Sequence, residues 1–175
     1  NPFNRLVRLD ARVGNINPQA ILPDWPKARL SFAVFAEPDA GQRVKGGLTL
    51  VNTEPGALSA QRLPLSLLAG EFRADEQALE LFNSHAELGG GKLGLVGEVK
   101  PDRMKLALDL SQLSLRQLHA SAPDDVISGR LTAEGAFAAP RFAAQLKGKW
   151  LQASALAELS GGQQPALLLK KVELG

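Results

Sequence analysis

Few residues in this 175-residue chain are placed to do chemistry. Its two histidines, His85 and His119, stand far apart, and neither has a partner at the spacing a metal site uses, so both read as surface or rim residues and no metal site is expected. The run Gly89-Gly90-Gly91-Lys92 invites comparison with a phosphate loop. Ala86 stands where the first glycine of that loop is needed, and Leu93 where a Ser or Thr would hold magnesium, so the run reads as a strand turn. Two acidic pairs, Asp75-Glu76 and Asp124-Asp125, have the side chains for general acid-base work. Both lie in turn-like stretches and are expected to be solvated. No nucleophile elbow of the Gly-x-Ser-x-Gly type occurs. Trp25, between Pro23 and Pro26, is expected to close a short helix over a sheet end, and Trp150 to pack at a strand bend; either ring could also stack on a sugar. The chain is therefore read as non-enzymatic and without a cofactor.

The elements around these residues are the more informative feature. Apolar residues alternate with polar ones at a period of two, the pattern of half-buried strands. Val7, Leu9, Ala11 and Val13 form one such set, and Leu30, Phe32, Val34 and Ala36 the next, with Phe35 on their other face. Val44, Gly46, Leu48 and Leu50 follow, then Leu79 and Leu81, then Leu93, Leu95, Gly97 and Val99. Met104, Leu106, Leu108 and Leu110 continue, then Ile127 through Leu131 to Phe137, then Phe142, Ala144 and Leu146, then Leu151 to Leu159. Turn signals separate them, among them Pro38-Asp39-Ala40-Gly41, Pro101-Asp102 and Ala139-Pro140. Such short connections make neighbouring strands antiparallel. Between Leu63 and Phe72 both parities hold apolar residues, so the facing of that strand is open.

Two places interrupt the alternation in the same way. Gly14-Asn15-Ile16-Asn17-Pro18 and Ser111-Gln112-Leu113-Ser114-Leu115 each leave a strand, present a helix cap (Asn17, Ser114) and begin a short helix before the next strand. Their offset of roughly 100 residues marks a degenerate internal repeat. Residues 1–175 are thus read as a single repetitive β-sheet segment of a longer protein.

Composition narrows the partners. Hydrophobic residues make up 45% and charged residues 22%, with a net charge of +2 and no stripe of Lys and Arg, so no nucleic-acid partner is expected. A chain this long is expected to bury roughly 70% of its unfolded surface. The absence of Cys rules out disulfides but leaves the compartment open. No apolar run reaches a membrane span of roughly 18 residues, and no leader is visible, so targeting signals are expected outside the segment.

The stretch Leu106 to Leu146 resembles the TamB family, within the AsmA-like group of Gram-negative envelope proteins. The likeness rests on Leu-Ala-Leu-Asp-Leu-Ser-Gln-Leu-Ser-Leu and Ile-Ser-Gly-Arg-Leu-Thr-Ala-Glu-Gly-Ala-Phe. Asn52-Thr53-Glu54-Pro55-Gly56 with Arg62-Leu63-Pro64, and Ala86-Glu87-Leu88-Gly89-Gly90-Gly91-Lys92-Leu93, are similar to it as well. The resemblance is a style of repetition and includes no catalytic motif. It implies an all-β, elongated antiparallel sheet folded lengthwise into an open groove, a β-taco, here with two short helical excursions. It implies a periplasmic body with an inner-membrane anchor, carriage of phospholipid between the two membranes, and a link to outer-membrane protein and autotransporter assembly through a TamA-like partner.

Physics alone allows a sandwich, a barrel or a folded sheet. The resemblance turns the alternating residues into candidate groove lining for phospholipid or other hydrophobic cargo: Leu30, Phe32, Val34, Leu48, Leu50, Leu79, Leu81, Leu93, Leu95, Val99, Met104, Leu106, Leu108, Leu110, Leu131, Phe137, Phe142 and Leu146. Alternative readings are a scaffold holding nascent outer-membrane strands and a closed sandwich interaction module. The last strand, Ala166 to Leu174, is expected to leave an unpaired edge through which the segment self-associates.

Overall fold

The structure, a computed structural model, describes residues 8–20, 22–150, 152–160 and 166–174, with the backbone alone from 159 onward. Val7, Ile21, Leu151 and the turn at Gly161-Gly162 lie outside it. The chain is all-β. Its strands are β1 (Leu9–Ile16), β2 (Leu30–Asp39), β3 (Arg43–Asn52), β4 (Leu65–Ala74), β5 (Leu79–Leu88), β6 (Gly91–Val99), β7 (Arg103–Ser114), β8 (Val126–Ala136), β9 (Arg141–Lys147), β10 (Gln152–Ser160) and β11 (Ala166–Leu174). They form one open sheet in which each strand pairs antiparallel with the next, from β1 to β11. At about 4.8 Å per strand the sheet is about 50 Å across. The helical excursions are a single 3-10 turn at Pro18–Ala20, a second at Leu58–Ala60, and α1 at Leu115–Leu118.

The two ends of the strands differ. Tight turns join strands at one rim, as at 40–42, 75–78 and 100–102. Among the described residues the longer connections, at 17–29, 53–64 and 115–125, lie at the other rim, and hydrogen bonds tie this rim together. Lys27 donates its N–H to the Gln61 carbonyl at 2.7 Å, and Gly89 to Pro64 at 3.2 Å. Ser114 donates to Gly89 at 3.1 Å, and the Ala120 N–H reaches the Ser59 hydroxyl at 3.0 Å.

Bulges correct the alternation read from sequence. The register slips at Asn15, Ser66, Asn83 and Gln112, each an extra residue that moves the following side chains to the opposite face. Asn15, Asn83 and Gln112 take positive φ there, at 58°, 47° and 56°. The slip at Asn83 puts Leu79 and Leu81 on the same face as Ala86 and Leu88 despite opposite parity. The slip at Ser66 settles the ambiguous strand: Leu68, Gly70 and Phe72 share the face of Leu65, and Leu67 and Ala69 take the other.

The internal repeat is real in structure. The N–H of Asn15 meets the hydroxyl of Ser31 at 3.5 Å, and that of Gln112 meets Ser128 at 2.9 Å. Asn17 caps the 3-10 turn by accepting from the Gln19 N–H, and Ser114 caps α1 by accepting from the Gln117 N–H. The same interval of 97 residues separates Asn15 from Gln112, Ser31 from Ser128 and Asn17 from Ser114.

A single sheet has little interior. The surface is 11438 Å², against about 8,200 Å² for a compact monomer of this mass, so folding buries about 60% of the extended-chain surface, not the 70% expected. No large side chain among the described residues is fully buried. The buried apolar residues are Ala28, Ala36, Val44, Leu113 and Ile127. Ala36 and Val44 flank Gly46 on one face. Leu113 and Ile127 pair at the long-connection rim, where Leu113 and Leu118 close over Gly89.

Candidate functional site: an uncharged sheet face

The cross-strand register places the predicted groove residues together. Phe32, Leu50 and Leu68 stand side by side, as do Val34, Leu48 and Gly70. Leu79, Val99 and Met104 form a third row; Leu81, Gly97, Leu106, Ala133 and Phe142 a fourth; Leu95, Leu108, Leu131 and Ala144 a fifth; and Leu93, Leu110, Gly129 and Leu146 a sixth. Leu30 lies opposite Ile16 and Asn52 at the end of this face. Phe137 is the exception. It falls in the turn after β8, where its N–H donates to Asp102 at 3.1 Å, and its ring is exposed. The alternation runs up to Phe137 but the ladder stops at Ala136, because Pro140 and the turn end the pairing.

Outside the bulges, this face of β1–β10 carries no charged side chain among the described residues. Its polar side chains are Asn52 and Ser84, and both are buried. Asn52 accepts from the Arg29 and Glu54 N–H groups and donates to the Leu63 and Leu65 carbonyls, so its amide is spent within the rim. Ser84 donates to the Phe82 carbonyl at 3.1 Å. None of the candidate groove residues is buried; each is half-buried or exposed, with Leu48 at 38% and Phe142 at 37%.

Over β6–β10 the face hollows into a depression of 430 Å³, lined by Leu95, Leu106, Leu108, Leu131, Phe142 and the alanines of β8–β10. Ala133, Ala144, Ala155 and Ala157 make that room, and the list of candidates read from sequence omits them. Their alternation is visible in the sequence, but a methyl group announces no contact. Over β2–β5 the corresponding space is occupied. The Phe72 ring lies across Gly46, so close that a Cβ there would come within 2.6 Å of it and within 2.2 Å of the Phe35 carbonyl.

The opposite face carries the charge. Lys45 pairs with Glu37 at 3.3 Å, Arg73 with Asp39 at 2.9 Å, Arg130 with Asp109 at 3.6 Å and Arg141 with Glu158 at 3.2 Å. Two larger hollows open there, of 530 and 680 Å³, but they are walled by groups such as Arg12, Glu37 and Glu71, or Asp109, Arg130 and Lys147. Burying an acyl chain against those walls would strip water from charges, which is costly. The Ala40 N–H and then Arg73 hold the Asp39 carboxyl below its ordinary pKa.

The acidic pairs divide. Asp75 accepts from the Gln77 and Ala78 N–H groups, which lower its pKa, and it stays in a turn as expected. Asp125 is a correction: it is 3% exposed rather than solvated. Its carboxylate accepts from Trp150 at 3.0 Å, Lys149 at 2.8 Å and Val126 at 2.7 Å, and the Trp150 and Lys149 N–H groups do most to hold its pKa down. Gly148 lies so near that a Cβ would sit 2.5 Å from the carboxylate. The group clamps the β9–β10 connection and faces no open site. Both tryptophans also depart from expectation, with Trp25 56% and Trp150 68% exposed; Lys149 lies over the Trp150 ring at 4.5 Å. His85 and His119 are exposed, and no cluster of metal-ligating side chains occurs among the described residues. The chain matches no family model, no curated protein and no solved structure.

Proposed function

We propose that this chain is a non-enzymatic segment of a TamB-like periplasmic bridge whose uncharged face shields phospholipid acyl chains in transit between inner and outer membranes. The observation that carries the reading is a ten-strand face that, among the described residues and outside the bulges, has no charge and nevertheless remains half open to solvent. An ordinary core would be covered. A water-facing surface would carry the charges that the opposite side displays. A face that is apolar and uncovered suits a flexible apolar guest, each CH2 of which gains about 0.8 kcal/mol on leaving water.

The depression over β6–β10 is the first seat, because its lining is uncharged and almost wholly apolar and its volume lies in the range of small-ligand sites. The periplasmic setting, an inner-membrane anchor outside this segment and a TamA-like partner come with the TamB resemblance. A second reading, a scaffold for nascent outer-membrane strands, draws on the outer edges of β1 and β11, beside which no strand lies among the described residues.

The test is binding of a fluorescent fatty acid to the purified chain. Saturable binding that Ala144→Phe abolishes, with the fold intact by circular dichroism, supports the reading. Binding unchanged by that substitution rejects the β6–β10 seat, and no binding at all rejects the acyl-chain reading.

A further inference from the structure

The repeat assigns a partner to the outer edge of β1. β1 and β7 are the same element 97 residues apart, with matching bulges, matching Ser anchors on the following strand and matching caps. β7 is covered on both sides, by β8 and by β6. β1 has β2 on one side and, among the described residues, no strand on the other. The vacancy is visible in exposure. Leu106 and Leu110 of β7 are half-buried, whereas their β1 counterparts Leu9 and Val13 are 45% and 41% exposed.

We propose that the outer edge of β1 docks an extended antiparallel strand of the β6 type, in the register that β6 takes on β7. Leu93 pairs with Leu110, Leu95 with Leu108, Gly97 with Leu106 and Glu98 with Lys105. Carried to β1, the incoming strand sets apolar residues opposite Val13 and Ala11, a small residue opposite Leu9 and a carboxylate opposite Arg8. The partner is therefore an extended segment patterned apolar-x-apolar-x-small-acidic. Its backbone satisfies the edge, and its apolar side chains extend the uncharged face by one strand. Arg8 now meets Asp10 only at 3.7 Å with its side chain largely exposed, so it remains able to receive that carboxylate.

The chain has no cysteine, so disulfide trapping has no background. The probe is a peptide with the sequence of residues 91–99, incubated with the Ala11→Cys chain in a glutathione buffer. A peptide carrying Leu95→Cys should be trapped at least about tenfold more than one carrying Val96→Cys, because a one-residue shift turns the thiol to the other face. Equal trapping of the two, or trapping of neither, overturns the proposal. Arg8→Glu should weaken the peptide by about threefold, and Glu98→Lys in the peptide should restore it. If the charge swap restores nothing, the register is wrong. None of these outcomes depends on lipid binding.

Discussion

The uncharged face is built in two ways. Over β2–β5 the Phe72 ring fills the space above Gly46 from within. Over β6–β10 the same rows hold mainly Leu on β6–β8 and mainly Ala, with Phe142, on β8–β10, and a depression stays open. The clamps at the long-connection rim differ in parallel. Buried Asn52, a neutral amide, secures β2–β4, and buried Asp125, a carboxylate, secures β8–β10. A sheet with one backbone plan can thus be closed or receptive according to side-chain volume alone. The difference teaches where an apolar guest would have room and where the sheet covers itself.

The sharpest way to break the filled half is Gly46→Val. Its Cβ would collide with the Phe35 carbonyl and the Phe72 ring, and the expected cost is over about 3 kcal/mol in urea unfolding. Gly94→Ala, whose added methyl meets nothing within 4 Å, should stay within about 0.5 kcal/mol. Equal effects would mean that the close approach at Gly46 is not structural. Phe72→Ala should cost about 2 kcal/mol, less than a full core truncation because the ring is half-exposed. It should also open a second seat, seen as a rise in fatty-acid stoichiometry. A loss of stability with unchanged stoichiometry would show that Phe72 does not separate the halves.

The clamps should separate the halves by pH. Asp125 has its folded pKa below the ordinary value, so its stabilising contribution is complete above about pH 4 and is lost as pH falls through the folded value. Asp125→Asn should flatten that acid limb, followed through Trp150 fluorescence in a Trp25→Phe background. Asn52 has no such limb. An unchanged acid transition in Asp125→Asn would assign it to other carboxylates, such as Asp39 beside Arg73. The smallest effect belongs to the charged face. Arg130→Ala removes an exposed pair with Asp109 and should change stability by under about 1 kcal/mol and leave fatty-acid binding untouched.

Much of this was readable before any fold was known. Period-two alternation placed Leu93, Leu95, Leu106, Leu108 and Leu131 on one side of their strands, and the echo of Asn15-Ile16-Asn17 in Gln112-Leu113-Ser114 located both bulged corners. What escaped depends on groups distant in the chain. The Asp125 carboxylate draws N–H groups from residues 149 and 150, 24 and 25 positions away, and no local spacing reveals that. Parity counting fails at Asn83 and Ser66, because one bulge residue reverses every side chain after it. The open depression escaped because it is made by the small size of Ala144, Ala155 and Ala157, and periodicity records polarity rather than volume.

The central claim is that one face meets lipid and the other does not. Photo-crosslinkers at Leu95, Leu108 and Leu131, and at their strand neighbours Val96, Ala107 and Thr132, test it directly in cells carrying the full-length protein. Phospholipid adducts at the first three positions and none at the second three are the predicted result. Equal adducts on both faces, or adducts at none of the six, would contradict it.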